Sequence, residues 1–542
     1  MTENLRDTYA AEGLRYMPKL LSMVDQNPVS KTYGCGDRQY WLYKMTDFPS
    51  GMYGEFALPL ALCFQKAFPG NTFKGQPRIK ELSYAVMRYQ AASAHKDGSG
   101  DDFYPFERAF GSTAFTLYCM AEAVRQLGSA EDDILDFIVR RSRWLMGANE
   151  AGRLSNHHAL AALGLAVAHD VTGVKELGDA SRRFRDRVLD WQTPEGWFPE
   201  YGGFDPGYDT FTISFLAHLR QLTGDDSLTR PLQKAVSLAA NLVGPDGSYA
   251  GEVGNRNSYH FVPHGFEILA REFGEARYVA DQALAAMQGG RRNYLEDNRT
   301  FCHYQYNFLQ SWLDYSERSA CPNWSPPEGA VHYPEGGLFK LKTGSNHAVI
   351  AIKKGGVIKV SGPDGPLVSD TGMVLVDSKG AASAPSIAGV EKFEFEETGG
   401  NYEIQIETGF DKIPNTMLPS SAKFLVFRIL NFTVGRWFPN FLRKTIQNLL
   451  INRKLPVPAR LLRRIAVGTD TVTISDRIVR TKNNFSVSRI LASTDLTTTF
   501  TASSNSWHAS RLFAWTEYSD EVEAFNKEGS VEVSRTWRRD GR

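Results

Sequence analysis

Cysteine is scarce in this sequence, and neither sign of charge prevails. The five cysteines, Cys35, Cys63, Cys119, Cys302 and Cys321, are scattered, with no CxxC pair and no metal-ligand spacing. That pattern argues against a disulfide framework or a zinc ribbon and leaves free buried thiols. No metal and no cofactor are called for. Sixty-one basic residues cancel 61 acidic ones, so global charge does not nominate nucleic acid as a partner, and an anionic ligand has to be read by local patches. Long apolar runs are missing too. The opening MTENLRDTYAAEGLRYMPKLL has no apolar h-region and no cleavage pattern, so neither a signal peptide nor a membrane span is expected. The expected location is cytoplasmic, or periplasmic if a leader was removed.

What the sequence does contain is repetition. Its 542 residues have room for two or three domains. Turn clusters begin at residues 47, 97, 147, 195, 246 and 296, in steps of 50, 50, 48, 51 and 50. Each is followed within about ten residues by an apolar helical pattern, such as ERAFGSTAFTLYCMAEAVRQL or NHHALAALGLAVAHDV. Four of these helices run to a glycine, Gly128, Gly173, Gly224 and Gly274, the usual residue just past a helix C-terminus. A more charged helix then returns, as in VKELGDASRRFRDRVLDW. The unit is an αα-hairpin that must stack on its neighbours to bury its apolar face. Six such units predict an (α/α)6 toroid over residues 1–325, the more apolar helices forming the inner ring. An open solenoid is the competing arrangement.

From residue 326 the pattern changes to short alternating runs with Gly, Asp and Asn turns, among them HAVIAIKKGG, YEIQIETG and DTVTISDRIV. These predict an antiparallel β-sandwich over 326–542, giving an α+β multidomain chain. One segment interrupts it. No acidic residue lies between Asp411 and Asp470, while Arg436, Arg443, Lys444, Arg453, Lys454, Arg460, Arg463 and Arg464 alternate with Trp437, Phe438, Phe441, Leu442, Ile446, Leu449 and Leu450. This reads as an inserted basic amphipathic helix pair at about 412–469. It is either packed on the sandwich with a solvated basic face, or a contact for an anionic polymer or a membrane surface.

If the inner helices all begin at one end of the ring, their first residues converge on one mouth. The stretch EGWFPEYGGFDPGYDTFTISFLAHL, residues 195–219, is the richest of these starts, with Asp209 and Thr210 as N-cap types. The mouth collects Trp41, Tyr104, Glu107 and Arg108 from the first two repeats and Asn156, His157 and His158 from the third. Glu200, Tyr201, Asp205 and Tyr208 come from the fourth, and Arg256, Asn257, His260, His264, His303 and Tyr304 from the last two. Such a set suits a substrate that carries a carboxylate and loses a carbon-bound proton. In a uronic-acid sugar, neutralising the carboxylate makes the adjacent proton removable. Asn156 and Arg256 are candidates for that task, and His157 and Tyr208 for the acid–base pair. A tyrosine acting as base needs a cationic neighbour. Tyr104, Glu107, Arg108, Tyr201, Arg256, Asn257, His260 and Trp41 are the candidate substrate-binding residues. His158, His169, His218 and His264 are expected to be structural.

The toroid followed by a sandwich, with Ser155-Asn156-His157-His158 opening the third inner helix and Glu195-Gly196-Trp197-Phe198 leading to Tyr208, resembles the heparinase II/III-like polysaccharide lyases and the related alginate lyases. It is similar to the sub-group associated with bacterial surface-polysaccharide production. The resemblance implies that Asn156 neutralises the substrate carboxylate, that His157 is a base or helper, and that Tyr208 is the acid or both acid and base. Where many relatives carry a Gly-His-x-His segment early in the sandwich, this chain has Thr343-Gly344-Ser345-Asn346-His347, with one histidine. The expected activity is β-elimination on an acidic polysaccharide. Two rivals remain. One is a glycoside hydrolase using two of Glu107, Glu200 and Asp205. The other is a non-catalytic glycan-binding protein of polysaccharide assembly. The sequence names neither the polymer nor the cleavage mode.

Overall fold

The computed structural model describes residues 4–150, 152–291, 297–385, 389–413, 420–442, 445, 455–497 and 512–539. The N-terminal part is helical: α1 (Asp7–Arg15), α2 (Met17–Met23), α3 (Arg38–Trp41), α4 (Ala57–Gln65), α5 (Pro77–Ser93), α6 (Phe110–Leu127), α7 (Asp132–Gly147), α8 (Ser155–Thr172), α9 (Lys175–Trp191), α10 (Pro206–Thr223), α11 (Thr229–Leu242), α12 (His264–Leu269), α13 (Gly274–Gln288) and α14 (Phe301–Leu313). Helices α4, α6, α8, α10, α12 and α14 each touch the next, and α14 touches α4. The ring is closed, which excludes the open solenoid. Burial separates the two rings. Helix α6 buries every residue except Arg125 and Gln126. Outer helix α9 buries only Leu177, Ala180, Ser181, Phe184 and Val188, a single stripe. The five cysteines are free and buried.

The hairpins are not six forward copies. The last inner helix, α14, takes its outer partner from the start of the chain, because the residues after it leave for the sandwich. Helix α1 packs on α14 and α13. Gly13 brings the two backbones together, since a Cβ there would lie 2.7 Å from Leu309. Arg6 donates to the Trp312 carbonyl at 2.6 Å and stacks 3.8 Å from its ring centre. Gly128, Gly173 and Gly224 end their helices in the left-handed conformation as expected. Gly274 instead opens α13, because α12 stops at Leu269.

The C-terminal part holds two antiparallel sheets. The first runs β1 (Gly329–Tyr333), β2 (Leu338–Thr343), β3 (Asn346–Ala351), β4 (Val357–Gly362), β5 (Gly365–Asp370) in that order. The second contains β6 (Gly372–Asp377), β7 (Ala382–Ala384), β8 (Val390–Thr398), β9 (Asn401–Lys412), β10 (Pro456–Val467), β11 (Thr471–Arg480), β12 (Val487–Ser493), β13 (Thr516–Glu517) and β14 (Ser530–Arg538). Its order is β13-β12-β6-β7-β9-β10-β11-β14, with β8 also paired to β9. Alternate residues Leu341, Ile350, Ile358 and Val360 of the first sheet meet Ile404, Ile406, Ile465 and Ile474 of the second. The other face of the first sheet gives Leu338, Val349, Ala351 and Val357 to the helical core.

The helical insertion is shorter than the sequence suggests. It contains α15 (Ser421–Leu430), followed by a wide π turn over Asn431–Gly435. Residues Pro456–Val467 are strand β10, so Arg460, Arg463 and Arg464 are not on a helix. Alternation decides this: Ala459, Leu461, Ile465 and Val467 are buried at period two. Arg443, Lys444, Arg453, Lys454, Ile446, Leu449 and Leu450 lie outside the described residues, as does Glu296 of the sixth turn cluster.

Arg463 has a different task from the solvated one expected. It is fully buried between the sheets. Its Nε and Nη2 donate to the two carboxylate oxygens of Asp476 at 2.7 and 2.8 Å, and its Nη1 reaches Asp370 Oδ1 at 2.8 Å. Arg535 also donates to Asp370, at 2.7 Å, and pairs with Asp476. Gly356 leaves room for the guanidinium stem, because a Cβ there would lie 2.8 Å from Arg463 Cδ. Two arginines and two aspartates thus cancel in a dry space. Removing one member strands the others, so Arg463→Ala should destabilise the protein by about 3–5 kcal/mol in chemical denaturation. An unchanged midpoint would show that the cluster is not a clamp between the sheets.

Candidate functional site

The mouth of the ring is assembled from the starts of the inner helices. Rings from four of them form a continuous file. His157 on α8 lies edge-on to Phe115 on α6, with centroids 6.2 Å apart. Phe115 stacks on His303 of α14 at 4.2 Å and meets Phe211 of α10 at 6.4 Å. Phe211 meets His260 at 5.1 Å, and His260 lies 5.2 Å from Tyr208. His157, Tyr208 and His260 therefore border one region, and Asn156 adjoins it beside His157 in the chain.

Local sequence explains how each is aimed. Helix α10 starts at Pro206, not at Asp209. Asp205 is the N-cap, its Oδ1 accepting from the Gly207 and Tyr208 N–H groups at 3.1 and 3.2 Å. Its Oδ2 accepts from the backbone N–H of Arg256 at 3.0 Å and of Ser258 at 3.4 Å. One buried carboxylate so fixes both Tyr208 and the loop carrying Arg256. Gly254 is what lets that loop come so near, because a Cβ there would sit 2.6 Å from Asp205 Oδ2. Asp209 sits in the first turn, buried, and accepts from the Phe198 N–H at 3.1 Å. The Arg256 guanidinium lies 3.6 Å above the Tyr201 ring centre and 5.5 Å from that of Tyr208. It is the cation a phenol needs nearby to act in proton transfer.

His157 has its own support. Its Nδ1 is 2.7 Å from Glu150 Oε1. Burial disfavours the charged ring, but the Glu150 carboxylate, with help from Glu200, outweighs it and the pKa rises. Donation from Nδ1 to Glu150 leaves Nε2 as the basic nitrogen of the neutral ring. Gly111 makes room for this ring, since a Cβ would lie 2.6 Å from its Cε1. Beside it, Asn156 donates from its backbone N and from Nδ2 to Glu200 Oε1, at 2.9 and 2.7 Å. The Glu200 carboxyl is fully buried, and burial pushes it up to about 7. Asn156 Oδ1 and Glu200 Oε2 are buried with no hydrogen-bond partner.

On the far side burial acts on the histidines. Burial, with His303 and Arg256 nearby, pushes His260 down to about 3, and its Nδ1 lies 3.1 Å from the Tyr304 hydroxyl. Burial does the same to His303, while it raises Glu55 well above the carboxylate range. His303 Nδ1 lies 2.8 Å from Glu55 Oε1. Arg299, paired with Asp102 at 2.6 Å, brings a second cation.

Other expected mouth residues have structural partners. Glu107 accepts from the Asp102 and Phe103 N–H groups at 3.1 and 2.7 Å. With Asp205 also given to backbone N–H groups, two of the three carboxylates considered for hydrolysis are occupied in holding loops. Arg108 pairs with Asp97. Trp41 donates from Nε1 to the Met23 carbonyl at 2.8 Å. Tyr104 packs edge-on against Phe427 of α15 at 5.6 Å. Asn257 joins the two parts of the chain, donating to the Leu496 carbonyl and accepting from Lys354, both at 2.9 Å. His158 is buried against Phe110, Phe184 and Trp191. His264 pairs with Asp314 at 2.8 Å. His218 lies 3.3 Å from the Tyr118 hydroxyl, and His169 lies 3.0 Å from the Val174 carbonyl. His347 binds the Asn241 carbonyl at 3.0 Å, tying the sandwich to α11. Among the described residues, no three His, Cys, Asp or Glu side chains gather to hold a metal ion. Sequence reasoning missed Glu150 and Glu55, the partners of the two mouth histidines, and Arg299. No spacing relates Glu55 to His303; only ring closure joins them.

No family model matches the sequence, and no curated protein matches it. Solved structures do. The Streptomyces coelicolor A3 chondroitin AC lyase in complex with chondroitin sulphate aligns with a TM-score of 0.53 at 12% identity, over 91% of this chain and 68% of that one. Heparinase III aligns at 0.47 and 10% identity, over 83% and 66%. A D-mannose isomerase aligns at 0.39 and 10% identity, over 57% of this chain and all of that one. The chain spans about two-thirds of the length of the first two. At these identities the likeness is one of fold. It rests on the first alignment, which extends through ring and sandwich together.

Asp205→Ala should free four backbone N–H groups and cost on the order of 2 kcal/mol. Hydrogen exchange should quicken at residues 207, 208, 256 and 258 together. Faster exchange at only one of the two segments would refute their coupling through this carboxylate.

Proposed function

We propose that the chain is a polysaccharide lyase that cleaves an acidic, uronate-containing polysaccharide by β-elimination. One observation carries this reading. A histidine with a carboxylate behind it, a tyrosine near an arginine and the Asn156 amide gather at the starts of the inner helices. The polysaccharide lyases of like fold, one of them in complex with chondroitin sulphate, make an acidic glycan the natural substrate class to test. Arg256 and the Asn156 amide draw charge from the uronate carboxylate and so acidify the neighbouring C–H. His157 Nε2 takes that proton. Tyr208 gives its proton to the departing glycosidic oxygen. The C–O bond breaks as the double bond forms, and no water is consumed.

Incubation with a panel of uronate-containing glycans should yield products that absorb in the near ultraviolet and whose masses sum to that of the substrate. Products heavier by one water would make the chain a hydrolase; retention without product would make it a binding protein. Tyr208→Phe should lower turnover by roughly 100-fold or more while leaving the circular dichroism unchanged. Normal turnover would remove Tyr208 from the reaction.

The pH profile separates His157 from its neighbours. As a base it works when neutral, so activity should climb as pH rises through its elevated pKa. Glu150→Gln removes the anion that elevates it, and the climb should move to lower pH. A climb left in place would assign the acidic limb to another group, with Glu200, near 7, the first to examine.

A further inference from the structure

The insertion between β9 and β10 forms an apolar, cationic face beside the mouth. Its inner side is anchored. Phe427 meets Tyr104, Phe432 meets Phe106 at 5.3 Å, Arg428 pairs with Asp47, and the Arg436 guanidinium lies 5.5 Å from the Phe106 ring centre. Its outer side is exposed. Leu425, Val426 and Ile429 lie on the side of α15 turned away from Phe427 and Arg428, and all three are exposed. Trp437 is 73% exposed, and Phe438 and Phe441 exceed 60%. So many large apolar side chains exposed on one insertion mark a contact.

We infer that this face docks on an anionic lipid bilayer. Two features select that occupant. Leucine, valine and isoleucine gain from hydrocarbon and little from a hydrated acidic polymer, while tryptophan and phenylalanine suit the headgroup boundary. The insertion brings no negative charge of its own: no acidic residue occurs between Asp411 and Asp470, and Lys423 and Arg436 are near the patch, while Arg428 is spent on Asp47. A second copy of the chain would bring the same cations against these and be repelled. Among the described residues no helix is long and apolar enough to cross a membrane, so the contact lies in the interface. Because the anchors Asp47, Tyr104 and Phe106 belong to loops that lead into the inner helices, docking holds the mouth near the lipid surface. The inference stands apart from the lyase reading, since docking is read without turnover.

The test is co-sedimentation of the full chain with phosphatidylcholine vesicles, with and without phosphatidylglycerol. The chain should pellet with the anionic vesicles, less so as salt is added. Arg436→Gln should weaken binding about fivefold. Trp437→Ser/Phe441→Ser, and separately Leu425→Ser/Ile429→Ser, should abolish pelleting with circular dichroism unchanged. No pelleting of the wild type, or equal pelleting of both double variants, would overturn the inference. So would a wild-type dimer that the double variants dissolve, which would name a second copy. Retention on an acidic-polysaccharide matrix without vesicle binding would assign the face to a polymer instead.

Discussion

The carboxylate of Asp205 is the constraint on which the mouth depends. It starts α10 with one oxygen and holds the 256–258 backbone with the other. Burial raises its pKa, against the four N–H groups that favour its charge. The loop it holds is gripped from the other side by the sandwich. Lys359 pairs with Glu252 at 2.9 Å, and Lys354 donates to the carbonyls of Glu252 and Gly254 at 2.8 and 2.6 Å. Tyr208 and Arg256 therefore keep their relation only while ring and sandwich stay docked. The second sheet never touches this loop through those lysines, yet its Arg463 clamp steadies the first sheet, which carries both.

Burial and pairing compete across the mouth. The Glu150 carboxylate helps raise the pKa of His157, and Arg299 is paired with Asp102. Burial lowers the pKa of His260 and His303 and raises that of Glu55, with Arg299 acting on the last two. Glu200 is between the two regimes, fully buried yet hydrogen-bonded by Asn156.

Much of the architecture was legible because it is periodic. Turn clusters fifty residues apart, apolar and charged helices in alternation, and glycines such as Gly128 and Gly173 are local signals. Eight strands were readable from alternation for the same reason. What escaped was non-local. Arg463 looked like part of a cationic helix until the strand period placed it inward, against Asp370 and Asp476. The partner of α14 lay at the opposite end of the chain. Asn156, His157 and Tyr208 could be chosen because each sits at a helix start. Glu107 could not be told from a ligand-binding residue, since its task of holding the Asp102 and Phe103 N–H groups depends on a loop conformation that no spacing encodes.

The pairing of α1 with α14 has a consequence for how the molecule comes to exist. Arg6 and Trp312 are 306 positions apart, and contacts across such a separation form only after a large chain entropy has been surrendered. A growing polypeptide can stack its first five inner helices as they emerge, but the circle has a gap until the sixth arrives. Since His303 rides on that last helix, the mouth is incomplete until the seam is sealed. Assembly of the ring and maturation of its centre are then one event, which waits for residues 301–313 to emerge.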